Sequence, residues 1–198
     1  MTDVHLIFGI LSGVLTVAFV VPYMRDILYG NTRPNVISWG IWTVLEVIAV
    51  FAQISAGASY SLIVLLAVTF NTALITILAC VGYGHREYGR TDFICFAFAL
   101  AALALWYFTG SPTLAIVFTI IADVFAAVPT IVKSYRDPGS EHLPAWSLIA
   151  VGSVCGIFAS SIFNIANLAY PVYLFLQQAA VVLAILVGRK HDIHTGQD

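Results

Sequence analysis

Residues 16–53, TVAFVVPYMRDILYGNTRPNVISWGIWTVLEVIAVFAQ, and residues 123–160, DVFAAVPTIVKSYRDPGSEHLPAWSLIAVGSVCGIFAS, are two versions of one passage. At a constant offset of 107 positions Pro22 falls on Pro129, Trp39 on Trp146 and Phe51 on Phe158, and further on the polar Asn71 falls on Gln178. Self-similarity at a fixed period decides how many structural units a chain contains, so it precedes any other reading of the fold.

The units belong in a membrane. Of 198 residues, 61% are hydrophobic and 9% charged, against roughly half apolar and about a quarter charged in soluble domains. The mean hydropathy is +0.97. Runs of about 17 to 25 apolar residues, the length that crosses a hydrocarbon core, occur at 5–28, 37–56, 60–82, 92–109, 112–135, 143–163 and 170–188. The first run is too long for a secretory signal and has no small-residue exit site, so it is expected to stay in the mature protein. A net charge of −2 and the lack of a basic stripe speak against a nucleic-acid partner. Cys80, Cys95 and Cys155 all lie inside apolar runs. They suit neither a disulfide framework nor a metal site, and no cofactor is called for.

The eight basic residues fix an orientation. Arg25 and Arg33 follow the first span, Arg86 and Arg90 the third, Lys133 and Arg136 the fifth, Arg189 and Lys190 the seventh. The alternate connections, around 55–59, 109–113 and 164–170, carry none. The positive-inside bias then puts the N-terminus outside and the C-terminus in the cytoplasm, with the bacterial inner membrane as the expected location.

Duplication and topology together predict an all-α integral membrane protein of seven helices arranged 3+1+3. The first three-helix repeat is 1–84, a loop and linker helix occupy 85–111, the second repeat is 112–190, and 191–198 forms a cytoplasmic tail. An odd number of spans per repeat would invert the second copy, and the fourth span, DFICFAFALAALALWYFTG, restores its direction. Parallel repeats about an axis along the membrane normal are a transporter layout with the solute site between the repeats.

This plan, with prolines late in the first and fifth spans, resembles the SWEET and PQ-loop superfamily of small seven-helix carriers. Pro22, Pro129 and Pro144 match prolines of that family. The PQ dipeptide itself is absent, the sequence reading Pro22-Tyr23 and Pro129-Thr130. Asn71 resembles the family's solute-binding asparagine, and Gln178 or Gln177 stands where a second would fall. The resemblance implies alternating-access movement of a small polar solute, a sugar, amino acid or similar metabolite, by a chain embedded in lipid and able to form homo-oligomers. The prolines free backbone carbonyls and kink their helices, and they are the candidate hinges.

The residues support a solute path on their own. Polar groups inside a bilayer are costly and face the bundle interior or a cavity. Glu46 and Asp123 lie roughly 13 Å and 16 Å into their spans at 1.5 Å per residue, near the middle of a core about 30 Å thick. No basic residue lies in a span centre, so a proton or a cationic solute would have to be their partner, which makes them the proton-coupling candidates. Trp39, Trp42, Glu46 and Gln53 share one helix face, and their counterparts are Trp146, Ile149, Ser153 and Ser160. Ser12, Thr16 and Tyr23 form a second face that maps onto Thr119, Asp123 and Thr130. Trp39, Trp42, Trp146 and Ser153 thereby join the solute-contact set. The tryptophans at the span starts are equally placed to form an interfacial belt.

Other classes fit less well. His5, His85, His142, His191 and His194 lie in termini or loops, with no HExxH or GxSxG pattern, so an enzyme is not expected. The alternative is a seven-helix sorting receptor or scaffold of KDEL-receptor-like plan, which would need docking motifs that the short tail KHDIHTGQD lacks.

Overall fold

The computed structural model describes residues 3–31, 34, 36–84 and 90–195. Arg33, His85 and Arg86 lie outside the described residues, as do the side chains of Cys95, Trp106, Pro129, Lys133 and His194. The described chain is all helical: α1 Val4–Leu28, α2 Val36–Ser55, α3 Leu62–Leu78, α4 Arg90–Thr109, α5 Pro112–Arg136, α6 Leu143–Phe158 and α7 Ile165–Thr195. Of these, α1, α3, α5 and α7 are long and apolar enough to cross a membrane. That is compatible with an integral membrane protein.

Local signals set the helix ends. Asp3 caps α1 by accepting from the His5 backbone N–H at 3.0 Å. His142 caps α6 by accepting from Ala145 N at 3.1 Å, and Pro144 occupies the first turn. There a proline costs no hydrogen bond, so Pro144 starts α6 instead of kinking it. Pro22 lies inside α1 and Pro171 inside α7. The end of α3 widens into a π-helical turn, Ala79–Tyr83, closed by Gly84 N donating to Ala79 O at 3.2 Å. Gly82 there has φ 122°, a conformation that favours glycine.

Two expected boundaries shift. The sixth span, expected to reach residue 163, stops at Phe158, and α7 starts at Ile165, five residues before the expected 170. Asn164 is the cause: its side chain accepts from Asn167 N at 2.9 Å and caps α7. At the other end α7 runs through residue 195, so most of the expected tail is helix, and the His191 ring lies 6.3 Å from that of Tyr135.

The burial pattern is compatible with a chain in lipid. On α1 the apolar Ile7, Ile10, Val14, Val17 and Val21 are exposed, whereas Ser12 and Thr16 are 0% exposed. On α5 Leu114, Val117, Ile121, Val124 and Val128 are likewise exposed, with Thr119 and Asp123 buried. Each α5 residue stands 107 positions after its α1 counterpart. An apolar outside around a polar inside reverses the soluble arrangement and suits a hydrocarbon solvent.

Packing follows the same correspondence. Helix α3 packs between α1 and α2, and α7 between α5 and α6, while α1 meets α6 and α2 meets α5 across the middle. Helix α4 rests on α5 and α2, with Phe98 stacked on Phe125 at 5.6 Å between centroids. Close approach depends on glycine. A Cβ on Gly13 would lie 2.8 Å from Ile63 Cγ2, and one on Gly156 would lie 2.7 Å from Val64 Cγ1. Gly9-x-x-x-Gly13 and Gly152-x-x-x-Gly156 thus supply the small-residue faces that let α1, α3 and α6 meet. Gly188 does the same for α7, since a Cβ there would strike the Tyr135 carbonyl and lie 2.9 Å from Pro138 Cγ.

These contacts predict that Gly156→Ala and Gly188→Ala each lower stability by about 1–3 kcal/mol through overpacking. Gly40→Ala, whose new methyl would have its nearest neighbour 3.9 Å away, should leave stability unchanged or raise it by up to about 1 kcal/mol. Thermal unfolding of the three variants in detergent gives the comparison.

Candidate functional site

Polar side chains absent from the exposed apolar faces gather in three levels between the helices. At mid-height α2 and α5 each bring one carboxyl inward, and both are 4% exposed. Glu46 accepts from Thr72 Oγ1 of α3 at 2.5 Å. Asp123 accepts from Tyr170 OH of α7 at 3.3 Å, and the hydroxyl of Tyr173 approaches the same carboxyl. Among the described residues no Lys, Arg or His is buried.

Amides and hydroxyls complete this level. Asn71 Nδ2 donates to the Thr16 carbonyl at 2.7 Å, tying α3 to α1. Its Oδ1 has no partner among the described residues, nor do Ser12 Oγ and Thr16 Oγ1. Gln178 of α7 pairs with Ser153 of α6. The amide orientation that satisfies its surroundings puts its nitrogen 2.7 Å from Ser153 Oγ and 3.1 Å from the carbonyls of Leu174 and Ile149. Thr119 is buried and bonds back to Ala115 O at 2.9 Å. That is the ordinary fate of a hydroxyl inside a membrane helix.

Towards the C-terminal end of α1 the interior is aromatic. Ring centroids are 5.9 Å apart for Trp146 and Phe19, 5.6 Å for Phe19 and Tyr23, 5.4 Å for Tyr23 and Trp39, and 5.1 Å for Trp39 and Trp42. The chain of rings joins α6, α1 and α2. Trp146 is fixed further by its Nε1 donating to Glu141 Oε2 at 2.9 Å. The three tryptophans and Tyr23 are only half-buried.

Beyond the opposite side of the acids lies a hydrogen-bonded clasp. Gln53 Nε2 donates to Ser61 Oγ at 2.7 Å and to Asn167 Oδ1 at 3.0 Å. Ser61 Oγ donates to Asn167 O at 3.1 Å, and Asn167 Nδ2 donates to Gly57 O at 3.0 Å. Ser59 links to Ser61 at 2.7 Å and to Ser160 at 3.4 Å. Gln53, Ser61, Ser160 and Asn167 are all 0% exposed. The clasp joins residues 53–61 to residues 160–167 and seals that end more fully than the rings seal the other.

The levels match the repeat. Trp39 and its counterpart Trp146 both join the rings, Glu46 and Ser153 both bond to a following helix, and Gln53 and Ser160 both enter the clasp. Asn71 and Gln178 both lie in the interior but bond differently, one to α1 backbone and the other to an α6 side chain. Gln177, about 100° further round α7, is half-buried and makes no hydrogen bond among the described residues.

No protein-family model matches this chain, and no curated protein or solved structure matches it. The site therefore rests on its own geometry. Sequence reasoning missed Thr72 and Tyr170, which bond the acids, Tyr173, which approaches Asp123, and Ser59, Ser61 and Asn167, which build the clasp. Thr72 lies next to Asn71 and one turn after Val68, a signal available in the helical spacing. Residues 59 and 167 read only as polar loop or span-edge positions, and their pairing crosses more than a hundred residues of chain.

Asn167→Ala removes both halves of the amide from the clasp and leaves Gln53 and Ser59 without that partner. We expect a loss of about 1–3 kcal/mol, the cost of buried groups left unsatisfied. Gln177→Ala should change stability by less than about 0.5 kcal/mol. Denaturation of the two variants side by side tests the difference.

Proposed function

We propose that this protein is a membrane carrier that moves a small polar solute by alternating access. The observation that carries the reading is a buried level of two carboxyls and unmet hydrogen-bonding atoms, held between two differently built closures. A buried polar atom without a partner costs free energy unless something else satisfies it. A solute lodged at mid-height would do so, and the closures would admit it from one side at a time.

In this reading the architecture is 3+1+3. Residues 1–84 and 112–190 are parallel repeats, and α4 is the linker within 85–111. Exchange of the repeats turns the α1–α3, α2–α3 and α1–α6 contacts into α5–α7, α6–α7 and α5–α2, which supports a pseudo-two-fold axis between them. Arg25, Arg136, Arg189 and Lys190 lie near the C-terminal ends of α1, α5 and α7 and Arg90 at the start of α4, as a cytoplasmic placement of the aromatic end requires. The clasp is then the outer closure. Rocking of one repeat against the other opens the clasp and tightens the rings, with Pro22 and Pro129 as the candidate hinges. Glu46 and Asp123 take a proton or a positive group during the cycle. Asn71, Gln178, Ser153 and Trp42 contact the solute. This is the action that the resemblance to SWEET and PQ-loop carriers implies.

Reconstitution in liposomes tests the proposal. Uptake of at least one solute from a panel of sugars, amino acids and amines is expected, with a response to an imposed pH gradient. Glu46→Gln combined with Asp123→Asn should abolish the response to the gradient. Binding of a peptide ligand with no flux of any panel solute would overturn the carrier reading and favour a sorting receptor.

A further inference from the structure

The mid-height level is unbalanced in a way that describes its cargo. The side-chain atoms left to meet a solute there are two carboxyls and a bare amide oxygen, beside the hydroxyls of Ser12 and Thr16 and the indole N–H of Trp42. Glu46 and Asp123 offer carboxyl oxygens, and Asn71 has spent its Nδ2 on the Thr16 carbonyl and keeps a bare Oδ1. Asn71 is 2% exposed and sits one turn after Val68 on the same face of α3. Val68 and Leu65 pack in one cluster with Tyr170 and Tyr173 of α7, Ala49 of α2 and Phe19 of α1. The unpartnered amide oxygen thus shares the interior in which the two tyrosines meet Asp123.

Charge is unbalanced as well, because two buried acids face no buried basic group among the described residues. A solute carrying a carboxylate would add negative charge where nothing offsets it. An ion left uncompensated in such a setting is costly. A positive solute would gain both from the carboxyls and from aromatic faces. Tyr170 and Tyr173 are buried and edge-on to one another, with centroids 6.0 Å apart. Trp42, one turn before Glu46, packs against Leu45 and against Ala122, the neighbour of Asp123. Aromatic rings beside carboxyls are a recurring device for holding organic cations.

We infer that the interior between α2, α3, α5 and α7 takes a small organic cation of the amine or guanidine class that carries no carboxylate. The inference rests on the carrier reading and specifies the cargo of that same site. It separates this chain from a carrier of neutral sugars, which have no charge to set against the two carboxyls, and from a carrier of amino acids, whose carboxylate needs a cationic contact.

Agmatine and arginine provide a matched pair, since they differ by one carboxylate. Purified protein in detergent is titrated with agmatine, arginine and glucose while its unfolding temperature is followed, and uptake of the same three is measured in liposomes. Agmatine should raise the unfolding temperature and be taken up, with arginine weaker by about tenfold or more, equivalent to ~1.4 kcal/mol. Glu46→Gln and Asp123→Asn should each remove the agmatine shift. The wild-type comparison stands even if a variant fails to fold. Equal affinity for agmatine and arginine, or an agmatine shift undiminished in both folded variants, would overturn the inference. Glucose uptake with no agmatine response would overturn it and leave the carrier reading intact, whereas failure of every solute in the wider panel to move would remove both.

Discussion

A polar side chain buried among apolar helices has only other protein groups as partners, and this constraint organises the molecule. The surface of α1 and α5 shows valine, leucine and isoleucine, and their serine, threonine and aspartate turn inward. Helices cannot then be placed freely. Many buried polar groups are met by a neighbour at hydrogen-bond distance: α3 brings Thr72 to Glu46 and Asn71 to α1, and α7 brings Tyr170 to Asp123 and Gln178 to Ser153. Glycine makes the approach possible. Gly9, Gly13, Gly152 and Gly156 remove the side-chain bulk that would hold α1, α3 and α6 apart.

The repeated sequence carries different polar groups in its two halves. Rings at one level and the clasp at another draw on equivalent positions of both copies, so each is symmetric in origin. The acids are not symmetric. Glu46 corresponds to Ser153 and Asp123 to Thr16, which puts one carboxyl in each copy but on a different helix of each. Because α2 packs against α5 across the middle, this exchange brings both carboxyls to the same seam. Had each copy kept its acid on its first helix, the charges would sit on α1 and α5, which do not share that seam. The symmetry break concentrates charge on one side and leaves α1 and α6 to meet through neutral hydroxyls and glycine.

Legibility in the sequence varied with the range of the interaction. Helix positions and the inward faces of Ser12, Thr16, Glu46 and Asp123 follow from composition and helical period, which are local. Helix ends were less legible, as at Asn164, where one cap moves the start of α7 five residues earlier and leaves residues 159–164 outside the flanking helices. Pro144 read as a possible kink and instead begins a helix, because a cap at His142 defines where α6 starts. The clasp was hidden almost completely. Ser59 and Asn167 gain meaning only when the α2–α3 connection and the start of α7 are brought side by side.

The sequence by itself determined an apolar helical chain, a repeat of 107 positions, and two acids placed deep within their helices. Each depends on spacing along one helix or on comparison of the chain with itself. Only the tertiary structure decided the partners: Asn71 spends its amide on backbone and retains a bare oxygen, Gln178 pairs with Ser153, and the acids share their interior with tyrosines. Partner choice depends on how far each helix is rotated and advanced against its neighbours. A rotation of 100° replaces one residue by the next, which is why Gln178 stands in the site and Gln177 does not.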